Sequence, residues 1–215
     1  MIGHSWGTML GLLVVRDHPE LFHAYVGMGQ LVNLEENETI SLEFVRREAE
    51  KEGNDEALQQ LANLNPPYVN NIEQLSIQRQ WLYQYGGGYR GFGIEDLLKS
   101  YITSPDYSLL DLGSMVAGLA TVSERMWPEM VGFDARLDVP ELQVPVYFFT
   151  GRYDYNTPSE LTQKYFDVLK APHKEMVWFE NSSHFMNVSD PTRYQGMLVD
   201  KVLNSGLEKE EMGSE

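Results

Sequence analysis

Residues 3–7 read Gly3-His4-Ser5-Trp6-Gly7 and match the pattern Gly-x-Ser-x-Gly. This pattern places a serine on a sharp turn between a strand and a helix, and the small residues flanking it let strand and helix pass closely. An apolar run over residues 9–15 suits a buried helix, and residues 21–29 then suit a buried parallel strand. The stretch therefore predicts a turn that exposes the Ser5 hydroxyl as a nucleophile.

The composition favours a soluble globular enzyme and excludes several other classes. The 215 residues carry 16 Lys and Arg against 32 Asp and Glu, a formal net charge of −16 that repels nucleic acid. No apolar stretch is long enough to span a bilayer, so we expect no membrane partner and a cytoplasmic location. The absence of cysteine excludes disulfides, thiolate metal sites and a cysteine nucleophile.

The chain divides into stretches of different periodicity. Residues 1–30 hold the serine turn, its helix and one strand, residues 31–138 are helical without strand alternation, and residues 139–207 return to alternating strands and helices. Residues 208–215 read as an acidic tail. Within the helical stretch, apolar spacing predicts helices over 40–51, 55–64, 72–85 and 94–102.

A serine hydroxyl needs an imidazole to take its proton and a carboxylate to orient that imidazole. Of the five histidines, His184 follows the last predicted strand, and Asp154 follows the strand before it. Loops at the carboxyl ends of parallel strands are where open α/β sheets place reactive groups, and the order Ser5, Asp154, His184 suits that arrangement. The alternative for Asp154 is a purely structural role, as a turn former that caps the following helix. Weaker candidates for the acid are Asp134, Asp138 and Asp190.

With these three loops, the chain resembles the α/β-hydrolase superfamily, and most closely its lid-bearing branch of prolyl aminopeptidase-like serine hydrolases. The resemblance rests on the serine turn, residues 150–154 and residues 182–185. It implies an α/β fold in which about three parallel strands with helices form an incomplete hydrolase sheet and residues 31–138 form an inserted helical lid.

Members of this superfamily place several strands before the serine turn, and this chain shows none of them. The absent section includes a loop that supplies one of two oxyanion donors, which leaves the main-chain N–H of Trp6 as the other. A sheet of about three strands would expose an inner edge. We therefore expect a homo-oligomer, or pairing with a separately supplied N-terminal half.

The helical lid suggests where a substrate could bind. Glu35, Glu36 and Glu38 follow the first predicted strand directly and could capture a substrate ammonium, although a solvated acidic segment is the alternative. The lid is also rich in aromatic residues, and Trp81 and Tyr85 are candidates for a pocket roof. Packing between lid helices is the alternative for each aromatic side chain.

The sequence thus predicts a serine hydrolase that cleaves an ester or amide of a small molecule or short peptide through an acyl-enzyme. Ser5 would attack, His184 would serve as base and then acid, and Asp154 would orient His184. No metal or organic cofactor is implied. The alternatives are a catalytically silent fragment that acts through oligomers or partners, and an acyltransferase that differs only in its acceptor.

Overall fold

A computed structural model describes residues 1–68 and 71–203 of the chain. The predicted acidic tail at 208–215, and the end of the C-terminal α/β stretch at 204–207, lie outside the described residues. The strands are β1 (Ile2–His4), β2 (Tyr25–Met28), β3 (Val146–Gly151) and β4 (Lys174–Phe179). The core helices are α1 (Gly7–Asp17), α8 (Ser159–Val168), α9 (Met186–Ser189) and α10 (Pro191–Leu198).

The strands form one parallel sheet in the order β1-β2-β3-β4, which confirms the predicted α/β class. Its longest ladder joins Val146–Gly151 to Lys174–Phe179 over their full lengths. The sheet has one strand more than the three expected, because residues 2–4 pair with residues 26–28 despite their short length. In a parallel sheet the carboxyl ends of all four strands lie at the same edge.

The two central strands, β2 and β3, are buried at every position, because both faces of the sheet are covered there. On one face, Tyr25 and Phe148 pack with residues of α1 and α8, including Leu12 and Tyr165. On the other face, Val26 and Phe149 pack in a separate cluster against side chains of α10. The alternation of side chains along each strand thus divides the core into two layers.

The segment between β2 and β3 is helical, as its periodicity predicts. It contains α2 (Leu34–Glu52), α3 (Asp55–Leu61), α4 (Ile72–Gln84), α5 (Ile94–Thr103), α6 (Leu109–Val131) and α7 (Ala135–Asp138). Helices α2 to α4 share their own apolar cluster, which includes Leu42, Val45, Leu61 and Leu82. The longest helix, α6, was not predicted; it begins at a Ser108–Asp111 capping box and continues through Pro128.

Asparagine caps set where the helices of this segment begin. The side chains of Asn33, Asn54 and Asn71 each accept a hydrogen bond from the main-chain N–H three residues ahead. In the part of the chain that the structure describes, none of the helices has the length and apolar character needed to cross a membrane.

Candidate active site

Ser5 lies in the turn between β1 and α1 and has a left-handed backbone, with φ of +56°. This conformation is unusual for a residue other than glycine and marks strain that the surrounding structure must hold. The Ser5 N–H donates to the Met28 carbonyl at 3.0 Å, and the Thr8 hydroxyl donates to the Ser5 carbonyl at 2.5 Å. The Thr8 oxygen in turn accepts from the Leu31 N–H at 2.9 Å, so the loop after β2 is tied to the turn.

Gly3 explains why β1 and α1 can pass so closely. A Cβ at Gly3 would lie 2.8 Å from the Gly7 carbonyl oxygen and 2.9 Å from the Thr8 Cα, both of them backbone atoms. At Gly7 the situation differs, because a Cβ there meets no described atom within 4 Å. The expectation that both flanking residues must be small therefore applies, in the described structure, to Gly3 alone.

Asp154 follows β3 and is buried, with every carboxylate oxygen hydrogen-bonded. One oxygen, Oδ1, accepts from the main-chain N–H groups of Asn156 and Thr157, each at 2.9 Å. The other, Oδ2, accepts from the Thr157 hydroxyl at 2.9 Å and lies 2.9 Å from His184 Nδ1. Asp154 is thus both a turn former and the partner of a histidine, with one oxygen assigned to each task.

His184 follows β4 and is also buried. A carboxylate only accepts hydrogen bonds, so His184 Nδ1 carries the proton and donates to Asp154, which leaves Nε2 as a free base. The Thr157 hydroxyl lies 3.1 Å from the same Nδ1. Gly29, with φ of +56°, makes room for the ring, because a Cβ there would lie 2.8 Å from two imidazole atoms.

A cavity of about 480 Å³ opens beside the serine turn. Ser5 and Thr157 line it from the core, and Arg79, Met115 and Trp127 line it from α4 and α6. Thr157 also lies 3.1 Å from His184 Nδ1, so it connects the cavity that Ser5 lines with the Asp154–His184 pair. Among the described residues, no hydrogen bond joins the Ser5 hydroxyl to the imidazole. Such bonds often form only once substrate is bound.

Comparison with known proteins agrees with this fold. No protein-family model matches the chain. It is similar to a probable aminopeptidase, YbaC, of Bacillus subtilis (strain 168), with 30% identity over 202 residues that make up 92% of this chain. The chain spans only 63% of the length of that relative.

Solved structures give the same result at lower sequence identity. The proline iminopeptidase of Mycobacterium smegmatis matches with a TM-score of 0.65 and 14% identity, over 97% of this chain and 66% of that one. VinJ matches with a TM-score of 0.62 and 17% identity, over 94% of this chain and 64% of that one. The chain has the α/β-hydrolase fold.

Within this α/β-hydrolase fold, the predicted substrate residues do not all reach the cavity. Glu38 lines it, and its buried carboxylate pairs with Arg79 through two hydrogen bonds of 2.6 and 2.8 Å. Glu35 and Glu36 border a separate, acidic depression instead, and Glu36 forms an ion pair with Arg136. Glu35 and Glu36 lie in the first turn of α2, where their negative charges interact favourably with the helix dipole.

The two predicted aromatic residues likewise lie outside the cavity. Trp81 is buried among α2, α3 and α4, and its indole N–H donates to Gln60 at 2.9 Å. The Tyr85 hydroxyl accepts from Asn54 at 3.2 Å, beside a different depression. Both side chains therefore pack within the helical segment, which was the alternative to a role in the pocket. The aromatic residues that do line the cavity are Trp6, Tyr83 and Trp127.

The main-chain N–H of Trp6 has a geometry suited to an oxyanion donor. Trp6 is the residue before the first turn of α1 and has helical backbone angles, and its side chain lines the cavity with 43% of its surface exposed. No acceptor for its N–H occurs among the described residues. Helix N-termini collect unpaired N–H groups that can bind developing negative charge.

Two residues close to the Asp154–His184 pair were missed in the sequence. Thr157 is not among the predicted site residues, yet its hydroxyl donates to Asp154 Oδ2 and lies 3.1 Å from His184 Nδ1. His4 is not among the predicted site residues either, yet its ring centroid lies 4.7 Å from that of His184. Proximity to Asp154 and to Ser5 in the sequence was the available signal for Thr157 and His4, respectively.

Proposed function

We propose that this chain is a serine hydrolase that cleaves an ester or amide through an acyl-enzyme. The observation that carries the proposal is the buried Asp154–His184 pair at the strand edge where the strained Ser5 borders a cavity. His184 Nε2 takes the proton as Ser5 Oγ attacks the substrate carbonyl, and His184 then returns that proton to the leaving group. Asp154 holds the tautomer that leaves Nε2 free, and water completes the cycle by hydrolysing the ester on Ser5.

The main-chain N–H of Trp6 contributes one donor to the oxyanion of the tetrahedral intermediate. Removing one of two such donors typically lowers turnover by about 10²–10³. Helices α2, α4 and α6 act as the lid of the site, because their side chains close the cavity on the side away from the sheet. Closing the cavity limits the access of bulk water while the acyl-enzyme forms.

The cavity favours a substrate with a large apolar acyl group. Most of its lining is apolar, from Leu31, Leu34, Leu75, Met115, Met126 and Met130 together with the aromatic residues named above. Glu38 is the carboxylate that a substrate amine would use. Its side chain is buried against Arg79, so the amine would take the place of Arg79 at Oε2, the oxygen that accepts from Arg79 alone. An aminoacyl substrate also agrees with the names of the similar proteins, a probable aminopeptidase and a proline iminopeptidase.

A fluorophosphonate probe tests the mechanism, since it phosphonylates a serine that has a working base and releases fluoride. We expect stoichiometric labelling of the wild type and none of Ser5→Ala or His184→Ala. Ser76→Ala, an exposed helix serine, is the matched control and keeps full labelling. A wild-type chain that is folded but unlabelled supports the silent-fragment alternative instead.

The substrate class is tested separately, with aminoacyl esters and their N-acetylated counterparts. If Glu38 binds the amine, acetylation raises KM, and Glu38→Gln removes that difference while simple acyl esters keep their KM. Equal KM values for both substrate series in the wild type would contradict the amine assignment and leave the hydrolase mechanism intact.

A further inference from the structure

His4 joins the two ends of the site that must meet during catalysis. It directly precedes Ser5, and its Nε2 lies 3.1 Å from the main-chain carbonyl oxygen of His184. A carbonyl oxygen only accepts, so Nε2 carries the proton and His4 is the donor. Among the described residues, this is the only hydrogen bond between residues 3–7 of the serine turn and residues 182–185 of the histidine loop.

The other attachments of the histidine loop lead elsewhere. The His184 N–H and the Ser183 hydroxyl both donate to the Gly88 carbonyl, at 3.3 and 2.8 Å, and Gly88 belongs to the helical segment. The Ser182 carbonyl accepts from Tyr153 in the acid loop at 3.0 Å. The His4 contact is therefore the direct hydrogen-bonded link between the histidine loop and the serine turn in the described structure.

We propose that His4 is a positioning residue, whose Nε2–H holds the His184 main chain at the distance from the serine turn at which the imidazole can serve Ser5. This inference rests on the proposed hydrolase mechanism. His4 acts through His184 and does not touch the reacting atoms. Its ring also packs edge-on to Phe185, with 5.2 Å between centroids, which keeps the ring from rotating away from the carbonyl.

The charge state of His4 suits this position. Burial, and next the neighbouring His184, lower the pKa of His4 to about 4, while the bond to the His184 carbonyl and the charge of Asp154 act against that shift. The ring is therefore neutral near pH 7. When His184 becomes an imidazolium during the reaction, it faces a neutral ring rather than a second cation.

Substitutions at His4 that keep either the aromatic ring or the hydrogen-bond donor, but not both, test this role. His4→Phe keeps an aromatic ring without a donor, His4→Met keeps length without a donor, and His4→Gln retains an N–H that can reach the same carbonyl. His18→Phe, at an exposed histidine outside the site, is the control. Steady-state kinetics on an acyl p-nitrophenyl ester give kcat and KM, and thermal unfolding reports whether each variant is folded.

We expect His4→Phe and His4→Met to lower kcat about 3- to 10-fold with KM unchanged, as for the loss of one neutral hydrogen bond. His4→Gln restores most of kcat. If His4→Phe fails to fold, the Met and Gln variants give the same comparison. Wild-type kcat in both donor-free variants, or a Gln variant as slow as the Met variant, would overturn the proposal.

Proton NMR supplies a measurement that does not depend on turnover. The His184 Nδ1–H proton, held by Asp154, gives a far-downfield resonance that is identified by its loss in His184→Ala. We expect this resonance to broaden in His4→Met and to persist in His4→Gln. If the wild type neither reacts with the fluorophosphonate nor turns over ester, the proposed hydrolase function fails. The resonance still decides whether His4 positions His184, and an unchanged resonance in His4→Met overturns the positioning role.

Discussion

At the scale of single residues, the hydroxyl of Thr157 links the acid and the base of the site. It donates to Asp154 Oδ2 at 2.9 Å and lies 3.1 Å from His184 Nδ1. The main-chain N–H of Thr157 adds a bond to the other oxygen of Asp154. Thr157 therefore donates to both oxygens of the Asp154 carboxylate. The carboxylate is held in the orientation in which Oδ2 also accepts from the His184 imidazole.

Replacing Thr157 tests how much this link contributes. Thr157→Val removes the hydroxyl at nearly constant volume, and we expect kcat to fall about 10- to 100-fold, because a hydrogen bond to a charged group is worth about 1.5–3 kcal/mol. Thr157→Ser restores the donor and should recover most of the loss. Ester hydrolysis measured for both variants decides the matter; equal rates for Val and Ser would show that the hydroxyl plays no part.

His4 also makes stability depend on pH in a defined direction. Its folded pKa of about 4 lies below the ordinary 6.5, so the unfolded chain takes up a proton on this residue before the folded chain does. The stability that His4 contributes is complete above pH 6.5 and is lost as pH falls toward 4. The titratable groups that face it are His184 and Asp154.

The melting temperature of the wild type should therefore fall more steeply between pH 6.5 and 4 than that of His4→Gln, whose amide does not titrate. Thermal unfolding at several pH values across this window measures the difference. Parallel curves for the two proteins would mean that His4 titrates normally in the folded state.

At the scale of secondary-structure elements, the serine turn depends on the close crossing of β1 and α1. That crossing leaves space for a hydrogen atom at Gly3 and for a larger group at Gly7. The asymmetry arises because Gly3 faces the backbone of the first turn of α1, while Gly7 has no described atom near its Cβ position.

Gly3→Ala should consequently destabilise the protein by about 1–3 kcal/mol, the usual cost of forcing extra volume into a packed region. Because the shift moves the turn itself, labelling of Ser5 by the fluorophosphonate should also slow. Gly7→Ala is the matched control and should leave both the melting temperature and the labelling rate close to wild type. Equal destabilisation by the two substitutions would contradict the crossing geometry.

At the scale of the whole molecule, the edge strand β1 lies beside the proposed nucleophile. Strand β1 pairs with β2 on one side, and no described residue pairs with its other side. Met1, Ile2 and Leu10 lie exposed at or near this edge. Unpaired strand edges with apolar side chains tend to pair with another chain.

We expect this edge to pair with a second copy of the chain or with a separately supplied N-terminal half, and the first of these can be measured on the chain alone. Sedimentation velocity should show a dimer that dissociates on dilution, and Ile2→Lys should shift the equilibrium toward monomer by placing a charge on the edge. Leu137→Lys, at an exposed residue of α7, is the control and should sediment like the wild type. A monomer at all concentrations would contradict the pairing.

Much of this architecture could be read from the sequence because it depends on neighbours in the chain. The Gly-x-Ser-x-Gly pattern, the apolar strands and the helical spacing of apolar residues each act over a few residues, and they predict the turn, the parallel sheet and the helical segment. The loops after β3 and β4 could be placed together because parallel strands bring their carboxyl ends to one edge. Helix α6 was missed because its glycines and Pro128 lower the local helix propensity.

What the sequence by itself determined is therefore the fold class and the loops from which a hydrolase site can be built. Tertiary structure alone decided which side chains meet there. Glu38 reaches the cavity and pairs with Arg79, whereas Glu36 pairs with Arg136, and His4 contacts a residue 180 positions away. These contacts join distant segments whose approach is set by the packing of whole helices and strands, and no local pattern encodes that distance.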